Sequence, residues 1–380
     1  MRALLFLLAP PLYDPSMPFD VREFPAGAEA AARNRRQVGG WLLIVAAMVL
    51  VMIVLGGVTR LTGSGLSIME WAPFRGALPP LGAPDWQKLF QLYQSIPQYA
   101  LLHHGFGLAG FKQIFWLEWT HRLWGRLIGL AFVGPLIWFW MRGAIERRLR
   151  PRLVLLFLLG GLQGAVGWFM VASGFFPEST AVSPYRLVVH LAFALALYSA
   201  LLWTGLSVLR PNPDAAPAAP RHLLWALLAL LSLTIVAGGF TAGLHAGKIY
   251  NTFPLMEGRL VPAAYGDLHP FLRNLTENLA AVQFDHRLLA TITAVLAVAT
   301  AVIGLRRPQP LALRRAFMTL GAVVCLQYAL GVATLLNAVP LVLATSHQAG
   351  AVLLLTAVIA CLHAARPTAS RTLQLVPEPS

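Results

Sequence analysis

Cysteine is nearly absent: the chain has two in 380 residues, Cys325 and Cys361. Both sit inside apolar runs, so a disulfide framework is not what organises the fold. No CxxC or paired Cys/His spacing offers a zinc site. Charge is scarce too, at 12% of residues against about 25% in soluble domains. Acidic residues are the scarcest, 15 against 29 basic ones, which leaves a formal net charge of +14. In a soluble protein that excess would point to nucleic acid. Here the arginines gather in short segments between apolar runs, which is a topology signal, and nucleic acid is not an expected partner.

What is abundant is apolar, 57% of the chain. Several runs approach or exceed the ~20 residues that cross a bilayer. They are too long and continuous for barrel strands, and a lipid-embedded backbone must satisfy itself, so helices are expected. The predicted fold is an all-α polytopic membrane protein with eight spans near 40–58, 119–141, 153–171, 185–208, 222–241, 284–304, 314–335 and 341–364. Arg33, Arg35 and Arg36 precede the first span. Arg142, Arg147, Arg148, Arg150 and Arg152 fill the loop after the second. Arg210 and Arg221 flank a Pro/Ala-rich stretch, Arg306, Arg307, Arg314 and Arg315 surround the sixth loop, and Arg366 and Arg371 follow the last span. All fall on one side, which the positive-inside rule makes cytoplasmic along with both termini. The outer side carries two long aromatic-rich loops, 60–117 and 242–283, in which Trp86 to Tyr93 reads as a short amphipathic helix. Met1 to Leu12 is apolar but too short to span, and reads as a disordered tail or a misread start rather than a signal peptide.

The chain repeats itself. Gly56-Gly57-Val58-Thr59 echoes Gly238-Gly239-Phe240-Thr241. Glu118-Trp119-Thr120-His121-Arg122 echoes Gln283-Phe284-Asp285-His286-Arg287. Leu162-Gln163-Gly164-Ala165-Val166-Gly167 echoes Leu326-Gln327-Tyr328-Ala329-Leu330-Gly331, and His190 pairs with His347. Four spans per unit is an even number, so the predicted arrangement is two parallel-repeat four-helix bundles. The expected divisions are a tail at 1–37, a first half at 38–210, a cytoplasmic linker at 211–221, a second half at 222–365 and a tail at 366–380.

His121, His190, His286 and His347 are each expected at or near the start of an even-numbered span, at similar depth near the outer boundary. Facing imidazoles in a four-helix bundle can hold haem iron from both sides. A single membrane histidine is more simply a hydrogen-bonding group, but four at matched positions favour ligation. Arg122, Arg126 and Arg287 are candidates for haem propionates through the planar guanidinium, or else snorkel to the interface. Glu118 stands one helical turn before His121, and its counterpart is Gln283. A carboxylate can manage protons or developing charge where an amide cannot, which assigns reaction chemistry to the first half and a resident electron-transfer haem to the second. Alternatively Glu118 merely favours a helix N-terminus. His103, His104, His222, His245, His269 and His363 are expected in solvated or interfacial roles, and Gly56, Gly57, Gly238 and Gly239 to allow close approach or a bend. Gln163 and Gln327 are expected to bond across the bundle without taking part in chemistry.

A family resemblance now stands out. Gly56 to Thr62 with Ser64-Gly65-Leu66-Ser67, Glu70-Trp71 and Pro79-Pro80 resembles the first outer loop of the haem A synthases. So does Phe111-Lys112 through Phe115-Trp116 into Glu118-Trp119 and His121-Arg122. Ala242-Gly243-Leu244, Ala246 to Thr252, Pro254-Leu255-Met256 and Gln283 to Arg287 are similar as well. The resemblance covers roughly residues 38–365. It implies oxidation of the C8 methyl of haem O to a formyl group, through an alcohol and a hydrated aldehyde, giving haem A for cytochrome oxidase in a bacterial inner membrane. It implies that His286 and His347 hold a resident haem b, that His121 and His190 flank the substrate haem, and that Glu118 is the essential carboxylate. The implied partners are haem O, a haem O synthase and other oxidase assembly factors, and an electron donor or acceptor; the apolar spans add membrane lipid, and aromatic-rich helix surfaces permit a second copy of the chain. The outer loops lack the cysteine pair that some members carry, and His245 stands where an arginine is expected. Two other readings use the same features: a diheme b-type electron carrier or quinol oxidoreductase, and a parallel-repeat transporter.

Overall fold

The computed structural model describes residues 28–367 apart from 72–74, 178, 212, 213, 215 and 217. The apolar run at Met1 to Leu12, Arg371 and the tail beyond 367 lie outside the described residues, as does part of the Pro/Ala stretch. Among the described residues, eight helices are long and apolar enough to cross a membrane. They are α1 (Ala28–Leu61), α2 (Leu108–Met141), α3 (Arg150–Val171), α4 (Pro184–Leu209), α5 (Arg221–Gly243), α6 (Leu279–Arg306), α7 (Leu311–Leu336) and α8 (Leu341–Ala364). There is no strand among the described residues.

Neighbours follow a ring in each half. α1 packs on α2 and α4, and α3 packs on α2 and α4. In the second half α5 packs on α6 and α8, and α7 packs on α6 and α8. The halves meet along α1, α4, α5 and α8. The largest buried cluster runs through this seam, from Trp41, Leu42 and Val45 to Leu201, Leu224, Phe317 and Val358.

Two helices begin well before their expected starts. α1 starts at Ala28, because Ala30, Ala31, Ala32 and Arg33 are strong helix formers that carry the span beyond the apolar run. α2 starts at Leu108, so the first outer loop is shorter than 60–117. Lys112, Gln113 and Glu118 interrupt hydropathy there, yet Phe111, Ile114 and Phe115 bury one face against a cap. That cap holds the short helix Ala83–Gln94, as expected around Trp86 to Tyr93. Inside α2, Pro135 has no N–H for the carbonyl of Ala131. The Trp41 indole of α1 donates to that oxygen instead, at 2.8 Å, and ties the two helices together.

The second outer loop is fastened at its end. Asn278 caps α6, its side-chain oxygen accepting from Ala280 N at 2.9 Å and Ala281 N at 3.2 Å. Its amide nitrogen donates to Ala264 O at 2.6 Å and holds the preceding loop.

Candidate functional site

The four histidines share one packing rule. Each lies on an even-numbered helix against a glycine of the helix before it. A methyl group added to Gly167 would lie 2.9 Å from Cε1 of His190. On Gly238 it would lie 2.8 Å from Cε1 of His286, and on Gly331 2.8 Å from Cε1 of His347. On Gly56 it would lie 3.3 Å from Nε2 of His121. The glycines give close approach, as expected, but to an imidazole rather than to a helix backbone. His121 and His190 lie within electrostatic reach of one another, and so do His286 and His347. His121 sits well inside α2 rather than at its start, because that helix begins at Leu108. The other three lie near the outer ends of their helices.

The rings are oriented by different groups. His286 Nδ1–H donates to the Thr234 carbonyl at 3.1 Å, which leaves Nε2 with its lone pair free for a metal. Gln163 Nε2 lies 3.2 Å from His190 Nδ1, and Gln327 Nε2 lies 3.1 Å from His347 Nδ1. Both amides also donate to the backbone carbonyl of the same histidine, at 3.1 and 2.9 Å. The Oε1 atoms of both glutamines are buried without a hydrogen-bond partner. Each amide nitrogen ties the imidazole to its own backbone and fixes the ring's orientation. Among the described residues the His121 ring makes no hydrogen bond.

Above the histidines two arginines strap down the outer loops. Arg122 donates to Ile68 O at 2.7 Å and Glu70 O at 2.8 Å. Arg287 donates to Tyr250 O at 2.5 Å and Thr252 O at 2.9 Å. Their forks are thus committed to loop carbonyls and to the residue one turn before, Glu118 at 2.6 Å or Gln283 at 3.0 Å. Glu118 is 3% exposed. Its other oxygen accepts from Ser67 N at 2.7 Å, Ser67 Oγ at 2.8 Å and Ile68 N at 2.9 Å. Gln283 instead donates to Ala246 O at 2.9 Å. Arg126 follows Arg122 by one turn on α2.

Of the histidines expected in solvated or interfacial roles, His363 is buried, His103 is half-buried, and His245 is exposed but bonded. The buried Tyr93 hydroxyl lies 2.5 Å from His103 Nδ1, and the ring stacks on Phe106. Burial lowers His103 below the ordinary histidine range, and burial with the Glu118 charge raises Tyr93. His363 is 3% exposed, bonded to Arg366 and packed against Trp203, because the end of α8 inserts beside α4. His245 takes a contact from Arg60 at 2.9 Å. Arg60 also donates to Ala242 O at 2.8 Å and Gly243 O at 3.0 Å, so a cation from the first half caps the C-terminus of α5. His104, His222 and His269 are exposed as expected.

Sequence reasoning underrated Gln163 and Gln327 and missed Arg60. Recurrence of the glutamines at matched positions was the available signal. The Arg60 contact joins residues far apart in sequence and left none.

A family model described as cytochrome oxidase assembly protein (COX15-CtaA) matches residues 39–359. The chain is 62% identical over 336 residues to a protein named Heme A synthase from Granulibacter bethesdensis, covering 88% of each. It is 49% identical over 345 residues to a Heme A synthase from Rhodospirillum centenum, covering 90% of this chain and 92% of the other. A Heme A synthase 2 from Acidiphilium cryptum is 48% identical over 337 residues, covering 87% and 92%.

Proposed function

The chain belongs to the COX15-CtaA family of cytochrome oxidase assembly proteins, and from that premise we propose that it is a multi-pass membrane enzyme that makes haem A. It oxidises the C8 methyl of haem O to a formyl group for use by cytochrome oxidase. The substrate haem lies in the first half between His121 and His190. A haem b resides in the second half between His286 and His347. The membrane is the bacterial inner membrane with both termini cytoplasmic, a reading supported by the arginines of the inner loops.

The observation that carries the assignment is the four-fold contact of histidine on glycine. Three of the four contacts leave no room for a Cβ, and a haem ligand needs a ring held upright between packed helices. The residues present fit the group. His286 already offers Nε2, and Gln163 and Gln327 hold the rings of His190 and His347 in place. When bound, haem b supplies one-electron transfer to or from the first half. The protein's own part is to hold, orient and shield. Thr234 and Gln327 orient the second pair and Gln163 orients His190. His121 makes no hydrogen bond of its own and rests on Gly56 in the loosest of the four glycine contacts, which suits a site that takes and releases its haem. Glu118 fixes loop residues 67 and 68 over the first site. Glu118, paired with Arg122, is the carboxylate we assign to managing protons or developing charge at the first site.

The test is extraction and mass analysis of bound porphyrins. Purified protein should carry haem b together with haem O, haem A or a hydroxylated intermediate. Haem b alone, in cells that make haem O, would refute it.

A further inference from the structure

α2 and α3 touch at three levels, the innermost being Arg150 over the Trp140 ring at 5.1 Å, and between the outer two both helices carry glycines. At the outer level the Arg122 guanidinium lies 5.8 Å from the Trp168 ring. At the middle level Phe132 stacks on Phe157, with centroids 6.2 Å apart and planes at 15°. Helical spacing puts His121, Gly125, Gly129 and Phe132 on one stripe of α2, and Phe157, Gly160, Gly164 and Gly167 on one stripe of α3. Gly167 abuts the His190 ring and His121 belongs to the same pair, so both stripes face the first-half site. A Cβ on Gly129, Gly160 or Gly164 would meet nothing within 4 Å. Gly160 and Gly164 are exposed.

The second half closes the same seam. The matched residues are Ala290, Ala294 and Ala297 on α6, and Val324 and Tyr328 on α7. Val324 is 2% exposed and Ala297 is fully buried. Tyr328 bonds Thr291 across the seam at 3.0 Å. In their most apolar stretches α6 and α7 bury 28% and 17% of positions, where α2 and α3 bury 11% and 6%.

We propose that the gap between α2 and α3 is a lateral port of the first site and seats the isoprenoid tail of the substrate haem as it leads toward the bilayer. This rests on the reading that His121 and His190 flank haem O. From His121 to Phe132 the gap is roughly 16 Å deep by helical rise. It opens to lipid, and haem O differs from haem b by a long apolar chain. Val324 and Tyr328 fill the corresponding space in the second half and exclude that chain. Each half thereby selects its own haem.

The experiment installs the second-half residues in the full-length protein as Gly160→Val with Gly164→Tyr. Haem O and tail-less protohaem are titrated separately, following the Soret band, with resident haem b as the check on folding. Haem O affinity should fall about tenfold or more while protohaem affinity holds. Equal weakening of both, or no change in either, overturns the proposal. If the double variant loses haem b, Gly160→Ala with Gly164→Ala decides by the same criterion, with a smaller loss expected. Haem O binding that survives undiminished in His121→Ala with His190→Ala would instead refute the substrate site itself.

Discussion

Glu118 and Gln283 stand at matched places on α2 and α6 and meet backbone of opposite polarity. Glu118 accepts the N–H of Ser67 at 2.7 Å, whereas Gln283 donates to the carbonyl of Ala246 at 2.9 Å. Each loop therefore demands the side chain it has. The Glu/Gln difference between the halves expresses loop polarity.

Glu118→Gln should stop conversion while leaving haem b bound. An amide nitrogen must then face either the Ser67 and Ile68 donors or the Arg122 fork, and leaving one buried donor unmet costs about 1–3 kcal/mol. Hydrogen exchange should rise at residues 66–70. Normal turnover with an unchanged loop would contradict this role.

The reciprocal change, Gln283→Glu, sets a carboxylate against the carbonyls of Ala246 and Tyr250. It should loosen the second outer loop and reduce haem b content without altering exchange in the first loop. Optical spectra of the purified variant read the first effect and exchange the second.

Gln327→Leu removes the group that orients His347. Haem b should remain detectable but bind roughly ten- to a hundredfold more weakly, with a shifted reduction potential. Gln163→Leu should leave haem b untouched and weaken only the first site. Identical effects of the two substitutions on haem b would contradict the division of labour.

Much of this was legible in the sequence. Eight apolar runs and the arginine loops gave the spans, and the matched motifs gave the four histidines. The true starts of α1 and α2 were not legible, because helix continued where hydropathy fell, through Arg33 and Arg35 in one and Lys112 and Glu118 in the other. Nor could spacing show that Gln163 and Gln327 turn onto imidazoles, since a glutamine reaches either neighbour of its helix. The burial of His363 and the reach of Arg60 depend on how the two halves dock, which no local pattern encodes.

His103 makes the outer cap sensitive to pH. Burial lowers its folded value below the ordinary range, so as pH falls below about 6.5 the unfolded chain binds more protons than the folded one. Stability of the cap is full above that pH and is lost as pH falls. Protonation also removes the acceptor that faces Tyr93. Protection factors in Ala83–Gln94, corrected for the intrinsic pH dependence of amide exchange, should fall from pH 7.5 to 5.5, and His103→Gln should flatten that dependence. Equal slopes in the two proteins would show that His103 is not the group responsible.

Porphyrin extraction from four single variants tests the division into two sites most directly. His286→Ala and His347→Ala should lose haem b. His121→Ala and His190→Ala should retain haem b and fail to yield haem A. Loss of haem b from a first-half variant with retention in both second-half variants would contradict the account.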